Sequence, residues 1–219
     1  MSLVVELEVG RRAFSESVEA FLRAVDGFDE HALLGASRCH GWTRLDVVVH
    51  TISGWHEMLG GMVSVVDDEP TVDAASYWTS FAEEYAGADP VDVLMVQRRR
   101  TAAYRRPALA CEELRDVAGM VLRGAAGMTE VHHFWQQQVF TAGDYLAVWA
   151  VEDAVHHLDL LADEPVPAGA LDLTRATVEA LAGAFPEDWT AEDVALVGTG
   201  RRPAPEGLGA TVDRLPAFA

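Results

Sequence analysis

The sequence predicts a mainly α protein: a four-helix bundle followed by a small C-terminal α/β extension. Three observations carry this. Apolar residues recur at helical spacing through most of the first 165 positions, caps and prolines punctuate them at helix boundaries, and an apolar run ending in a Gly-Thr-Gly turn is confined to the last part of the chain. The bundle is assigned to residues 1–165 and the extension to 166–219.

In the first helix, Phe14, Val18, Phe21, Leu22 and Val25 share one face and Gly27 supplies a stop. Thr43 with Asp46 has the form of a capping box, so the second helix opens there and runs through VVVHTISGWHEMLGGMVSVV to about Val66. The acidic stretch DDEPTVDAAS reads as a loop, and an aromatic segment with Tyr77, Trp78, Phe81 and Tyr85 follows it. Asp89 and Pro90 give the cap and first-position proline of a third helix, which ends near Pro107. Its second half carries Arg98, Arg99, Arg100, Arg105 and Arg106, a solvated face favoured by the helix dipole; an anion-binding surface is the alternative.

Residues 108–140 divide into CEELRDVAGMVLRGAAG, a short helix, and MTEVHHFWQQQVF, a strand or extended loop. Thr141 or Asp144 opens a fourth long helix through YLAVWAVEDAVHHLDLLAD, ended by Pro165. LTRATVEALAGAF is one more helix, and DVALVGTGRR reads as a strand and hairpin. Four long helices with a mixed tail define the bundle.

Composition narrows the function. Thirty-five acidic residues face sixteen basic ones, all arginine, for a net charge of −19. Such a surface repels phosphate backbones and anionic headgroups, so nucleic acid and membrane are excluded as expected partners. No apolar run reaches the roughly 18 residues of a membrane span, and the N-terminus has acids where a signal peptide needs bases. With only Cys39 and Cys111, no disulfide framework or cysteine zinc site is indicated, and a cytoplasmic setting is expected. A cysteine nucleophile has no paired histidine at an informative spacing, and GTGRRP lacks the context of a phosphate loop.

The segment VEDAVHH raises the central question, because it puts Glu152 and His156 one turn apart inside an apolar helix. Bundles build metal sites from inward-facing carboxylates and imidazoles on neighbouring helices. His50, following three valines, is the leading third ligand. Two histidines and a glutamate leave a coordination position open, as catalytic zinc sites do. Asp159 could accept the free ring N–H of His156.

Spacing alone leaves this open. A lone histidine in an apolar helix is more often a hydrogen-bonded core residue than a ligand. Asp153 and His157 form a rival pair, displaced by about 100° around the helix. His132 and His133, in a strand, point to opposite faces, so at most one could join a site. His40 and His56 read as surface or supporting residues. Trp42, Trp55, Trp78, Trp135 and Trp149 read as core, with pocket lining the lesser role.

Two segments resemble a known family. GWTRLDVVVH, with Gly41, Trp42, Thr43, Asp46 and His50, resembles the second-helix signature of the mycothiol-dependent maleylpyruvate isomerase family, within the DinB-like metal-binding bundle superfamily. The later Glu152, three residues, His156 and then Asp159-Leu160 resemble its fourth-helix signature. The resemblance implies a DinB-like fold over roughly residues 10–165. It also implies that His50, Glu152 and His156 hold a divalent metal, zinc above others, and that Asp153 and His157 do not. Mycothiol is the implied thiol cosubstrate, and its thiolate would add to and leave a cis double bond. A thiol S-transferase acting on electrophiles is the alternative enzyme, and a non-catalytic metal- or ligand-binding bundle the alternative outside enzymes. Partners are then a small-molecule substrate and a low-molecular-weight thiol, with a homodimer allowed. Family isomerases carry a larger C-terminal domain with an arginine suited to a carboxylate substrate; here some 50 residues follow the fourth helix, and Arg201 or Arg202 could serve, with Arg201 the catalytic candidate.

Overall fold

The computed structural model describes residues 2–85 and 87–218. Four long helices form the bundle: α1 (Leu7–Asp26), α3 (Arg44–Val63), α6 (Pro107–Gly127) and α7 (Ala142–Asp159). Between them lie α2 (Glu30–Leu33), strand β1 (Val65–Val66), α4 (Ser76–Tyr85), α5 (Pro90–Ala102), and a hairpin of β2 (His132–Trp135) and β3 (Gln138–Thr141). After α7 come α8 (Ala168–Ala182), α9 (Ala191–Gly198) and a 3₁₀ turn over Gly209–Arg214.

Long-range contacts give the helix directions. Gly10 meets Gly143, and Phe21 meets His157 edge-on, so α1 and α7 run parallel. Trp55 donates to Asp153 and the Tyr145 hydroxyl to the Met58 carbonyl, which makes α3 antiparallel to α7. Arg11 reaches Ala125 while Arg115 reaches Asp26, so α6 runs antiparallel to α1. The order is therefore up, down, down, up. Parallel α3 and α6 need a long crossover, which α4 and α5 supply.

Phe14 and Phe21 of α1, Ile52, Trp55 and Met58 of α3, Leu114 of α6, and Tyr145 and Leu146 of α7 lie fully inside. Burying a phenylalanine of this kind stabilises the fold by about 1.5–3 kcal/mol. α1 and α7 approach through glycine. A Cβ at Gly143 would fall well inside contact distance of the Val5 carbonyl oxygen and 2.8 Å from the Glu6 carbonyl carbon. Val178, Phe185, Val194, Val197 and Phe218 belong to the same apolar cluster as the bundle core.

The capping box at Thr43 and Asp46 forms, and Asp89 and Thr141 cap α5 and α7. Three expectations change. The second helix ends at Val63; Val65 and Val66 pair with His133 and His132 as the edge of a three-stranded antiparallel sheet. The third bundle helix is α6 and not the segment after Pro90. α5 buries little beyond Gln97, whereas α6 buries Ala110, Leu114, Val117, Ala118, Val121 and Ala125. Pro107, read as a terminator, is the first residue of α6, where its missing N–H has no cost. The run DVALVGTGRR contributes helix α9 and not a strand, because Thr190 and Asp193 form a second capping box and four consecutive apolar residues fit either periodicity. Among the described residues no helix is long and apolar enough to cross a membrane.

Candidate metal centre

α7 is buried on nearly every side, and along its length only Glu152 and Leu158 keep intermediate exposure. A carboxylate in such a helix needs partners, and Glu152 has two. Its Oε1 accepts from His156 Nε2 at 3.1 Å, one turn on, and from His50 Nε2 at 3.3 Å, across the α3–α7 interface. The two imidazole rings meet edge-on with centroids 4.6 Å apart. The ligand atoms of His50, Glu152 and His156 all lie within 4.8 Å of one another. His50 and Glu152 keep side-chain exposures of 32% and 29%, so this cluster opens to solvent.

Behind the cluster, His156 Nδ1 donates to Asp159 Oδ2 at 3.1 Å, which leaves Nε2 directed at Glu152. Asp159 is fully buried and held by Arg201, with Nε to Oδ1 at 3.2 Å and Nη2 to Oδ2 at 3.1 Å. Cys39 Sγ donates to the same Oδ2 at 3.0 Å. The loop before α3 and the first residue of α3 clamp this end of α7: Arg38 N donates to the Asp159 carbonyl at 2.8 Å, and Arg44 Nε to the Leu160 carbonyl at 2.8 Å. Gly41, at φ +81°, makes the turn that sets Trp42 over the site. The Trp42 ring lies nearly parallel to that of His156, 13° apart, and 5.2 Å from that of His50.

The titration states follow from these contacts. Burial works against charge on Glu152, yet the charge of His156 and hydrogen bonds from both rings hold its carboxyl well below the usual range. Burial likewise opposes charge on His156, but Glu152 and Asp159 on its two sides raise its pKa well above 6.5. His50 is lowered, chiefly by burial. The cluster without a cation is thus a Glu152 carboxylate between an imidazolium and a neutral imidazole.

Two nitrogens and one carboxylate oxygen converging beside solvent, with one ring oriented from behind, fit a divalent cation. The same three atoms that now share protons would turn lone pairs toward it. Cys39, His156 and Asp159 also lie close enough to be grouped, but there the Arg201 guanidinium already neutralises the carboxylate, so this second group does not fit a cation.

The other histidines and acids stand elsewhere. Asp153 accepts from Trp55 Nε1 at 2.9 Å in the core, and burial, the largest influence on it, pushes its carboxyl up to about 8. His157 Nε2 donates to the Glu164 carbonyl and its ring faces Phe21. The rival pair therefore points away from His50. His133 donates from Nδ1 to the Gly61 carbonyl and stacks on Tyr145, and His132 donates to the Asp68 carbonyl. His40 and His56 are exposed. Trp55, Trp78 and Trp149 are core residues, whereas Trp42 lines the site. Arg201 has its guanidinium on Asp159 and the Thr199 carbonyl, and Arg202 pairs with Asp193. Reading the sequence missed Cys39 and the roles of Arg38 and Arg44; nothing in their spacing shows that they meet the end of α7.

A family model described as the mycothiol maleylpyruvate isomerase N-terminal domain matches residues 14–161. The chain belongs to that family. The match runs from within α1 to just past the end of α7, and takes in His50, Glu152 and His156. Two solved structures share the fold: the mycothiol-dependent maleylpyruvate isomerase, with a TM-score of 0.57, and its histidine-to-alanine mutant, with 0.56. Each is 14% identical, over 80% of this chain and 70% of the other. No curated protein matches the sequence. The DinB-like bundle and the place in the isomerase family stand on these matches.

Proposed function

We propose that this chain is a metal-dependent, mycothiol-assisted enzyme of the maleylpyruvate isomerase type, with His50, Glu152 and His156 as the metal ligands. The convergence of three ligand atoms from distant parts of the sequence at a solvent-reachable point of an otherwise buried helix carries the reading. Zinc is the expected ion, since nitrogen and carboxylate donors with an open position suit it. When bound, it would stabilise a thiolate near neutral pH, so the protein needs no cysteine nucleophile of its own.

The chain's own residues divide the remaining work. Asp159 fixes the His156 tautomer, and Arg201 fixes Asp159. Trp42 walls the site on one side, against both rings. Arg100, exposed near the end of α5, is close enough to oppose protonation of His50. In the reaction, the cosubstrate thiolate adds to one carbon of an activated cis double bond, and the electron pair moves onto the adjacent carbonyl-conjugated carbon. Rotation about the resulting single bond precedes C–S cleavage, which expels the thiolate and restores the double bond as trans. No net oxidation occurs.

Purified, zinc-loaded protein incubated with mycothiol and maleylpyruvate tests this, with a panel of electrophiles in parallel. Trans isomer supports the proposal; a stable thiol adduct in the parallel arm alone identifies an S-transferase. His50→Ala, Glu152→Ala and His156→Ala are each expected to lose bound zinc by elemental analysis. Wild-type metal content in all three overturns the ligand set.

A further inference from the structure

The remaining unusual surface is α5. It packs on α3 through Gln97, which is 3% exposed and donates to the Asp46 carbonyl, flanked by half-buried Leu94 and Thr101. At about 100° per residue, the opposite side carries Asp92, Met95, Val96 and Arg99. Met95 and Val96 are 48% and 40% exposed, and neighbouring Val91 is 64% exposed. Among the described residues no other helix exposes as many large apolar side chains. Asp92 and Arg99 have no ion-pair partner within the chain among those residues.

This stripe is self-complementary. It reads acid, apolar, apolar, base from N- to C-terminus, so reversing it places base against acid and Met95 against Val96. We infer that α5 is the face on which a second copy of this chain docks, antiparallel, about a two-fold axis between Met95 and Val96. Asp92 then faces Arg99 of the second copy at both ends of an apolar centre, the isologous arrangement a two-fold axis requires. The stripe itself favours this occupant: Asp92 lies in the first turn and Arg99 in the last, so a reversed copy sets acid against base at both ends, a pairing that works against the repulsion between two chains of net charge −19. Antiparallel helices also set each basic C-terminal turn near an acidic N-terminal turn. One 13-residue helix, about 20 Å long, makes a contact at the small end of specific interfaces, so the dimer is a weak one.

Sedimentation velocity across concentrations tests the assignment on the full chain. The wild-type mass is expected to rise from 23.7 kDa toward twice that value as concentration passes about 100 µM. Asp92→Arg and Arg99→Asp, each placing like charges together twice, are expected to weaken association at least about tenfold. The double variant Asp92→Arg, Arg99→Asp should restore it, and Met95→Ser should weaken it without changing the charge. These positions face solvent, so circular dichroism of each variant should match wild type. A monomer at every concentration overturns the inference, as does a dimer indifferent to Arg99→Asp and Met95→Ser, or a double variant as weak as the single ones.

Discussion

Replacing Arg201 with methionine isolates the support behind the candidate site. The guanidinium spans both oxygens of Asp159, and the two side chains are 14% and 0% exposed, so solvent does little to screen the pair. Removing one partner of a buried ion pair costs about 3–5 kcal/mol because the other charge is stranded. Here His156 and Cys39 still hydrogen-bond Asp159, so the cost falls at the lower end, about 3 kcal/mol. With a urea slope of about 1–3 kcal/mol per molar, the midpoint of metal-free protein should fall by about 1–3 M. Zinc affinity should drop about 10- to 100-fold, since the ring that offers Nε2 loses its fixed backing. Arg201→Lys, which keeps the charge and loses the fork, should lie between the two. Urea unfolding followed by circular dichroism and a competitive zinc titration read both effects. A stability change within the roughly 0.5 kcal/mol typical of surface changes would refute the argument.

Zinc binding at neutral pH should release about one proton, because the imidazolium of His156 must give up its Nε2 proton; calorimetry in buffers of different ionisation enthalpy counts it. In metal-free protein the raised His156 pKa contributes stability that is fully present below the unfolded value of 6.5 and fades as pH climbs through the folded value, a loss that His156→Gln should abolish in unfolding curves. Gly143→Ala should destabilise by more than about 4 kcal/mol, since its methyl has backbone on the facing side and nowhere to go. Gly60→Ala, with nothing within 4 Å on an exposed turn of α3, should instead stabilise by about 0.5–1 kcal/mol; paired thermal melts decide both. Thr43→Ala removes one side of the capping box and should cost about 1 kcal/mol by the same measurement.

How much of this was legible in advance depended on the range of the interactions. Helix starts at Thr43, Asp89 and Thr141 are written in neighbouring residues, because a cap is a bond between positions three apart or fewer. The β2–β3 hairpin was not, because its turn holds Gln136 and Gln137 at φ 47° and 60°, a conformation that asparagine and glycine usually advertise. Choosing α6 over α5 as the bundle helix needed the neighbours as well, since both segments are helical and only one has a core to face.

For the site, residue types and order alone placed a carboxylate and an imidazole one turn apart, named a distant histidine as their partner, and through resemblance pointed to a family. Spacing could not choose between Glu152 with His156 and Asp153 with His157, because a helix apolar all round has no face marked as outward. Packing supplied that mark: α1 covers His157, Trp55 takes Asp153, and α3 brings His50 against the one carboxylate of α7 left open to water. Only the folded chain could also turn Arg201 onto Asp159, 42 residues away, since that pairing depends on where the tail returns. Local bonds are encoded by neighbours in sequence, whereas convergence of distant groups is a property of the assembled helices.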